Sequence, residues 1–151
     1  MASNDKDNVK LAKDGYDLFT KGDLNRLAQN FAENAQMTSM PTGEIMKGRN
    51  NVINYIGNFK RAFPDMTLSI KRQIACDNQV VTEFIASGTH KGVFSTPNGD
   101  IPPTGRRVEE SLCEILTVKD GTFTESHLYF DTASLLTQLG VLNLSEAHNA
   151  L

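Results

Sequence analysis

Apolar residues recur at three- and four-residue steps along residues 8–21, 24–31 and 48–63. This spacing gathers them on one face of a helix, so it predicts three amphipathic helices early in the chain. Gly22 separates the first helix from the second, in the place where a helix commonly ends on glycine. Pro64 closes the third helix, because proline cannot continue one.

Between and after these helices the pattern changes to a period of two, which is typical of strands. The expected strands are, in order, residues 35–40, 44–47, 66–76, 79–90 and 107–118. Asp77-Asn78 and Asp120-Gly121 are expected to form two-residue hairpin turns. Residues 94–105, which contain three prolines, are expected to form a loop.

Residues 122–140 combine the two periods, a strand first and a helix second. Alternation puts ionisable side chains on one side of the strand and apolar ones on the other. The first side carries Phe123, Glu125, His127, Tyr129 and Asp131, and the second carries Ser126, Leu128 and Phe130. Asp131 therefore lies where the strand gives way to the helix, and Gly140 ends that helix.

Helices first, a four-stranded antiparallel meander next and a closing helix last predict a single α+β domain over residues 1–151. We expect a cone, in which a strongly curved, mainly antiparallel sheet carries the N-terminal helices on its concave side. A cone of this kind encloses one natural cavity, which is the default place for a ligand.

Composition narrows the classes of function. The net charge is −3 and no basic stripe is present, which argues against a nucleic-acid partner. No apolar run approaches the roughly 20 residues of a membrane helix, and the polar, acidic first residues do not resemble a secretory signal. Cys76 and Cys113 lack metal-ligand spacing, so we expect no metal and read both as small buried residues of a reduced cytoplasmic protein.

Asp131 is the first candidate for chemistry. At the floor of a pocket its carboxylate would lose hydration, which makes it easier to take up and return a proton near neutrality. The hypothesis that Asp131 is an acid/base depends on this carboxyl being held away from water. The alternative is that Asp131 only caps the helix that follows, and the two roles are compatible.

Three further polar residues are candidates beside Asp131. Tyr129 shares its side of the strand unless a bulge intervenes, and would donate a hydrogen bond to a developing enolate oxygen. His127 lies in the same row and is either a substrate contact or a satisfied structural histidine. His90, at a strand end beside glycines, either polarises a substrate carbonyl or binds only backbone and water.

Glu110 and Glu114 share one face of their strand with Leu112. That face is either the outside of the sheet or a dimer seam; if either carboxyl turned inward, it would supply a second acid. The apolar lining of the cavity is expected to come from Met37, Met40, Phe59, Phe63 and Phe94.

Several short motifs, in the right order and at the right spacing, resemble those of the SnoaL-like polyketide cyclases, also called ester cyclases. They are Ala62-Phe63-Pro64-Asp65-Met66, Gly88-Thr89-His90-Lys91-Gly92, Pro102-Pro103-Thr104-Gly105-Arg106-Arg107-Val108, Tyr129-Phe130-Asp131 and Leu135-Leu136-Thr137-Gln138-Leu139-Gly140. The resemblance extends over about residues 9–141.

The resemblance implies a nuclear-transport-factor-2-like cone, usually assembled as a homodimer, and an intramolecular aldol cyclisation that needs no metal or organic cofactor. It also implies an acid/base aspartate at the position matched here by Asp131. The same superfamily contains isomerases, hydrolases, dehydratases and proteins without a known reaction, so the fold leaves the reaction open.

One departure from the family lies near the first strand, where many relatives direct a polar or imidazole residue into the cavity. Here the inward positions are expected to be Met37 and Ser39. The expected function is binding of a small apolar, oxygenated molecule, with acid/base chemistry beside a carbonyl by Asp131, assisted by Tyr129 or His90. The alternative is a non-catalytic ligand-binding or dimeric association module.

Overall fold

In sequence order, three helices precede the long strands and one helix follows them, as the spacing of apolar residues predicts. The computed structural model describes residues 3–142; residues 1, 2 and 143–151 lie outside that part. In chain order the elements are α1 Ser3–Lys21, α2 Leu24–Gln29, β1 Phe31–Ser39, β2 Glu44–Lys47, α3 Arg49–Ala62, β3 Thr67–Cys76, β4 Gln79–Thr89, β5 Phe94–Thr96, β6 Gly99–Ile101, β7 Arg107–Lys119, β8 Thr122–Tyr129 and α4 Thr132–Gln138.

Six strands form one curved, mixed sheet in the order β2-β1-β8-β7-β4-β3. The meander β3-β4-β7-β8 is antiparallel, which confirms the predicted α+β class. At one edge β1 runs parallel to β8, and β2 pairs with β1 in the antiparallel sense. The parallel pair was not predicted, because a hydrophobic period does not specify which distant strand lies alongside.

The elements differ from the prediction in several places, notably at Phe31 and within residues 94–105. Phe31, which helical spacing assigns to the second helix, begins β1 and pairs with Phe123 of β8, with ring centroids 5.2 Å apart. Tertiary packing therefore overrides the local helical pattern here. Within the predicted loop 94–105, β5 and β6 form a small separate hairpin.

The two predicted hairpin turns are confirmed. Asp77 and Asn78 have φ angles of 53° and 63°, and Asp120 and Gly121 have φ angles of 51° and 74°. Left-handed backbone at both central residues is the conformation of a type I′ turn, whose twist suits the flanking strands. These turns fix the register of β3 with β4 and of β7 with β8.

The core lies between the helices and the concave face of the sheet. Tyr16 and Phe19 of α1 and Val52 of α3 are buried against Phe84 of β4 and Leu116 of β7. This arrangement places the helices on the predicted side of the sheet.

The expectation that both cysteines are buried is wrong. Cys76 is exposed and Cys113 is partly exposed. Cys76 ends β3 at a solvent-facing turn. Cys113 alternates with the buried residues of β7 and therefore lies on the outer face of the sheet.

Candidate functional site

A cavity of about 120 Å³ lies between α1, α3 and the inner face of the sheet. Its wall is almost entirely apolar and aromatic. Of the predicted lining residues, Met37, Phe59 and Phe63 lie on this wall. Met40 is instead 37% exposed, and Phe94 packs behind Phe59 and Phe63, with ring centroids 5.4 and 5.9 Å away.

Glu114 of β7 lies deep in this cavity wall. The Tyr16 hydroxyl donates to Oε1 at 2.7 Å, and the Ser126 hydroxyl donates to Oε2 at 2.6 Å. Burial raises the pKa of Glu114, although the hydrogen bonds from Ser126 and Tyr16 oppose that rise. Burial and the nearby carboxyl of Glu114 also raise the pKa of Tyr16 well above its usual value, so Tyr16 remains a neutral donor.

Glu110 lies on the same wall, four residues before Glu114. Four strand steps separate two such residues by about 13 Å, so the carboxyls do not form a direct pair. Gln138 Nε2 donates to Glu110 Oε2 at 3.1 Å, while the Glu109 backbone N–H donates to Gln138 Oε1 at 2.8 Å. Burial raises the pKa of Glu110, and the charge of Asp131 adds to the rise.

A bulge in β8 decides which side chains face the cavity. Thr117 pairs with Glu125 and Val118 pairs with Phe123, so Thr124 is an extra residue. Phe123 before the bulge and Ser126 after it are therefore both buried on the inner face.

The row of ionisable residues in β8 consequently lies on the outer face of the sheet. Tyr129 is 41% exposed, and His127 Nε2 lies 2.9 Å from Glu125 Oε1 in a solvent-exposed contact. The expectation that Tyr129 and His127 accompany Asp131 into the cavity is wrong, because one inserted residue exchanges the two faces.

Asp131 does not lie on the cavity wall. Its side chain is exposed, and Oδ1 accepts the backbone N–H of Ser134 at 3.1 Å as the N-cap of α4. The expectation that its carboxyl is held away from water is wrong, whereas the capping role is present. Asp131 influences Glu110 in two ways, because its charge raises the pKa of Glu110 while its backbone hydrogen bond lowers it.

His90 is fully buried but also lies off the cavity wall. Nδ1 accepts the backbone N–H of Thr104 at 3.1 Å, and the Thr104 hydroxyl lies 3.0 Å from the same nitrogen. The ring stacks on Phe63, with centroids 5.2 Å apart. Burial lowers the pKa of His90. The structure thus gives His90 a part in holding the loop at Thr104 and places it away from the cavity surface.

The profile of the SnoaL-like polyketide cyclases matches residues 10–139. The chain belongs to the SnoaL-like polyketide cyclase family. A search of curated proteins found no match.

Solved structures with the same nuclear-transport-factor-2-like fold include several SnoaL-like proteins. AclR, a proposed hydroxylase from Streptomyces galilaeus, is 22% identical with a TM-score of 0.78 and covers 92% of this chain and 99% of its own. A proposed SnoaL-like cyclase from Jannaschia sp. CCS1 is 15% identical with a TM-score of 0.82, covering 95% and 98%. IdmH, a proposed polyketide cyclase from Streptomyces antibioticus, is 26% identical with a TM-score of 0.71, covering 89% and 99%.

In this SnoaL-like chain the inward positions of β1 are Met37 and Ser39, as expected. The Tyr55 hydroxyl donates to Ser39 Oγ at 2.9 Å, and Tyr55 also lines the cavity. Ser39 is therefore already engaged by the protein.

Three polar residues that line the cavity were not among the residues predicted to form the site: Tyr16, Glu110 and Glu114. Tyr16 stands in an apolar helical stripe and so reads as plain core. The alternation in β7 shows that Glu110 and Glu114 share a face, but the polarity of that face gives no sign that it is the inner one.

Between residues 3 and 142, no group of three His, Cys, Asp or Glu side chains is placed to hold a metal ion. Over the same residues, none of the helices combines the length and apolar character needed to span a membrane.

Proposed function

We propose that the cavity binds a small, largely apolar, oxygenated molecule and that Glu110 transfers a proton at a carbon beside the carbonyl of that molecule. The supporting observation is a buried carboxyl with a raised pKa on an apolar wall. A carboxyl poised nearer neutrality is an efficient proton acceptor and donor at physiological pH.

The proposed step needs no cofactor. The Glu110 carboxylate takes a proton from the carbon next to the carbonyl, leaving an enolate. In an aldol cyclisation, the enolate forms a carbon–carbon bond to a second carbonyl of the same molecule, and Glu110 gives its proton to the resulting alkoxide. In an isomerisation, Glu110 returns the same proton to a different carbon of a conjugated enolate. The proposed cyclase role of IdmH supports the first, although relatives with this fold differ in chemistry.

Glu110 and Glu114 are proposed to have different roles because they lie at different depths in the cavity. Glu110 lies nearer the surface, since its partner Gln138 is half-buried and the adjacent Asp131 is exposed. Glu114 and Tyr16 lie deeper, about 13 Å along the strand, and orient a second polar group of the ligand. A ligand that spans the cavity therefore contacts both ends.

The test follows hydrogen exchange in a small aromatic ketone, 1-indanone, incubated with the protein in D₂O and monitored by NMR. Wild type is expected to accelerate exchange beside the carbonyl, and Glu110→Gln to lose about 10²–10⁴-fold of that acceleration. Glu109→Gln, a neighbour exposed on the outer face, is the matched control and should retain it. Equal acceleration by Glu110→Gln would overturn the assignment.

The second candidate is non-catalytic ligand binding. It is favoured by the partners that the carboxyls already have inside the protein, because Tyr16, Ser126 and Gln138 all donate to them. If ligands bind with equal affinity to wild type and Glu110→Gln, and no ketone exchanges, this candidate replaces the enzyme.

We also propose a homodimer that pairs the outer faces of two sheets. A row runs across all six strands in register, namely Ile74, Val81, Ile115, His127, Thr38 and Ile45. Its ends, Ile74 and Ile45, are 60% and 51% exposed, and a second copy would cover them. Sedimentation should give a dimer for wild type and a folded monomer for the double variant Ile45→Lys, Ile74→Lys. A monomeric wild type would refute the proposal.

The free thiols of Cys76 and Cys113 support the proposed cytoplasmic setting. An exposed cysteine such as Cys76 persists as a thiol in a reducing compartment. Secretion into an oxidising compartment in cell fractionation would contradict this part of the proposal.

A further inference from the structure

The polar side chains of the cavity wall have already used their hydrogen-bond donors. Among the described lining residues, the neutral polar side chains are Tyr16 and Tyr55. Tyr16 donates its phenol proton to Glu114, and Tyr55 donates its own to Ser39. A phenol has one donor only. What remains for a ligand at the deep end is the carboxyl of Glu114, whose ionised form accepts hydrogen bonds and pairs with positive charge.

The same wall is acidic in composition, since it holds carboxyl groups and no basic side chain. Its 24 described residues include two carboxyls, Glu110 and Glu114, and none is lysine, arginine or histidine. An ionised carboxylate in an apolar site is costly unless it is paired. A cationic ligand would supply the missing counter-charge, whereas a carboxylate or phosphate would meet repulsion from both carboxyls.

Aromatic rings make up much of the same wall. Nine of the 24 lining residues are phenylalanine or tyrosine. Tyr16, which bonds Glu114, packs on Phe84 with ring centroids 4.9 Å apart, and Phe31 packs on Phe123 at 5.2 Å. The faces of such rings carry negative potential and attract ammonium groups, especially in a desolvated site.

We propose that the molecule bound in this cavity carries a basic or quaternary nitrogen, and that this nitrogen lies against Glu114 among the aromatic rings. The inference rests on the proposed function, because it takes the cavity to be the ligand site, and it adds the charge of the ligand. The carbonyl end of the same molecule then lies towards Glu110.

Binding of such a ligand is coupled to the proton of Glu114. The groups that face this carboxyl are Tyr16 from α1, Ser126 from β8 and Thr82 from β4, and of these only Tyr16 titrates. Burial raises the pKa of Glu114, so without a cationic partner the protonated form of this carboxyl is favoured more than it is in water. A neutral amine takes that proton and forms the ion pair without exchange with solvent. A quaternary ammonium cannot take it, so the proton leaves to the buffer.

The test compares two probes that differ only in charge, choline and its neutral carbon isostere 3,3-dimethylbutan-1-ol. Isothermal titration calorimetry at pH 7 is expected to show choline binding to wild type about 10-fold more tightly, the gain typical of a desolvated cation on aromatic rings. Repeating the titration between pH 5 and pH 8 in buffers of different ionisation enthalpy should show proton release with choline only, at pH values below the raised pKa of Glu114.

Two variants locate the charge. Glu114→Gln, whose amide keeps the shape of the side chain, should abolish both the preference for choline and the proton release. Glu109→Gln makes the same change on the outer face and should keep both. If Glu114→Gln does not fold, the wild-type comparison still decides.

The inference is overturned if the isostere binds as tightly as choline, if neither probe binds at millimolar concentration, or if the preference survives in Glu114→Gln. A protonated Glu114 that donates to a neutral oxygen would give the first of these results. Ketone exchange without a choline preference would refute this inference alone. A choline preference without ketone exchange would refute only the proton transfer by Glu110.

Discussion

The Tyr16 hydroxyl lies 2.7 Å from Glu114 Oε1, although 98 residues separate the two in sequence. This contact ties the first helix to the central strand β7 by a polar bond inside an apolar core. Because both groups are buried, losing either partner leaves the other unsatisfied, which costs about 1–3 kcal/mol for a neutral group and more for a charged one. The pair therefore links the stability of the fold to the protonation of the cavity.

The first prediction concerns this link. The pKa of Glu114 is raised in the folded protein above its unfolded value near 4.5. The folded protein thus keeps a proton that the unfolded chain loses, and the contribution of Glu114 to stability falls as pH rises from about 4.5 through the folded pKa. Glu114→Gln does not titrate, so its free energy of unfolding should rise relative to wild type over that window.

Urea unfolding at several pH values measures the difference between the two proteins. It should be smallest below pH 4.5 and reach a plateau once the folded protein has lost the proton. Tyr16→Phe is the companion variant, and it should be less stable than wild type by about 1–3 kcal/mol because it removes a donor to a buried carboxyl. A pH-independent difference for Glu114→Gln would contradict the buried placement of this carboxyl.

The second prediction concerns Asp131. Asp131→Ala removes the side chain that accepts the Ser134 N–H at the start of α4, so it should cost about 1 kcal/mol of stability. Asp131→Asn keeps a capping oxygen but loses the charge, so the pKa of Glu110 should fall. NMR titration of the Glu110 carboxyl carbon checks the shift. A hundredfold loss of ketone exchange in Asp131→Asn would instead give Asp131 the proton-transfer role.

The sequence predicts α4 correctly but does not predict which face of β8 lies inside. The helical spacing after Asp131 and the glycine at 140 predict α4 and its end, and both are present. The strand before it is also present, but its faces are exchanged after Thr124. A single extra residue is enough for this, because strand side chains alternate with a period of two, and no local pattern in the sequence marks the bulge.

Glu110 and Glu114 illustrate a second limit. Alternation shows that they share a face of the strand. Because carboxyl side chains are rarely buried, a face with two of them is expected to be the solvent-exposed one. What makes it the inner face is the supply of partners from distant elements, Tyr16 and Gln138, which hydrogen-bond the carboxyls. Hydrogen bonds between residues far apart in sequence form only in the assembled fold, so neither segment alone predicts them.

The third prediction concerns His90. Burial lowers its pKa in the folded protein below the unfolded value of 6.5. As pH falls below 6.5, His90 becomes protonated in the unfolded chain but stays neutral in the folded protein. The free energy of unfolding therefore decreases progressively until the pH reaches the pKa of folded His90. His90→Asn, which offers an accepting oxygen that does not titrate, should therefore lose less stability than wild type between pH 7.5 and pH 5.

Thr104→Val is the companion variant for His90. It removes the hydroxyl near Nδ1 but keeps the backbone N–H that donates to it. It should lower stability by about 1 kcal/mol at every pH while retaining the acid sensitivity of wild type. Thermal unfolding across this pH range measures both variants. An identical pH response of wild type and His90→Asn would remove His90 as the source.

The fourth prediction concerns Gly92, where the backbone passes against the end of α3. The N–H groups of Lys91 and Gly92 both donate to the Ala62 carbonyl at 3.0 Å. A Cβ at Gly92 would overlap the carbonyl oxygen of Arg61, a backbone atom that cannot move away without distorting α3. Gly92→Ala should therefore lower the free energy of unfolding by about 1–3 kcal/mol or more.

The matched control for Gly92 is Gly15→Ala in the interior of α1. There the added methyl meets the Leu27 side chain at 3.4 Å, and alanine favours the helix by about 1 kcal/mol, so stability should be unchanged or improved. Urea unfolding of the two variants beside wild type measures the contrast. Equal stability of the two variants would show that the end of α3 yields to the methyl group.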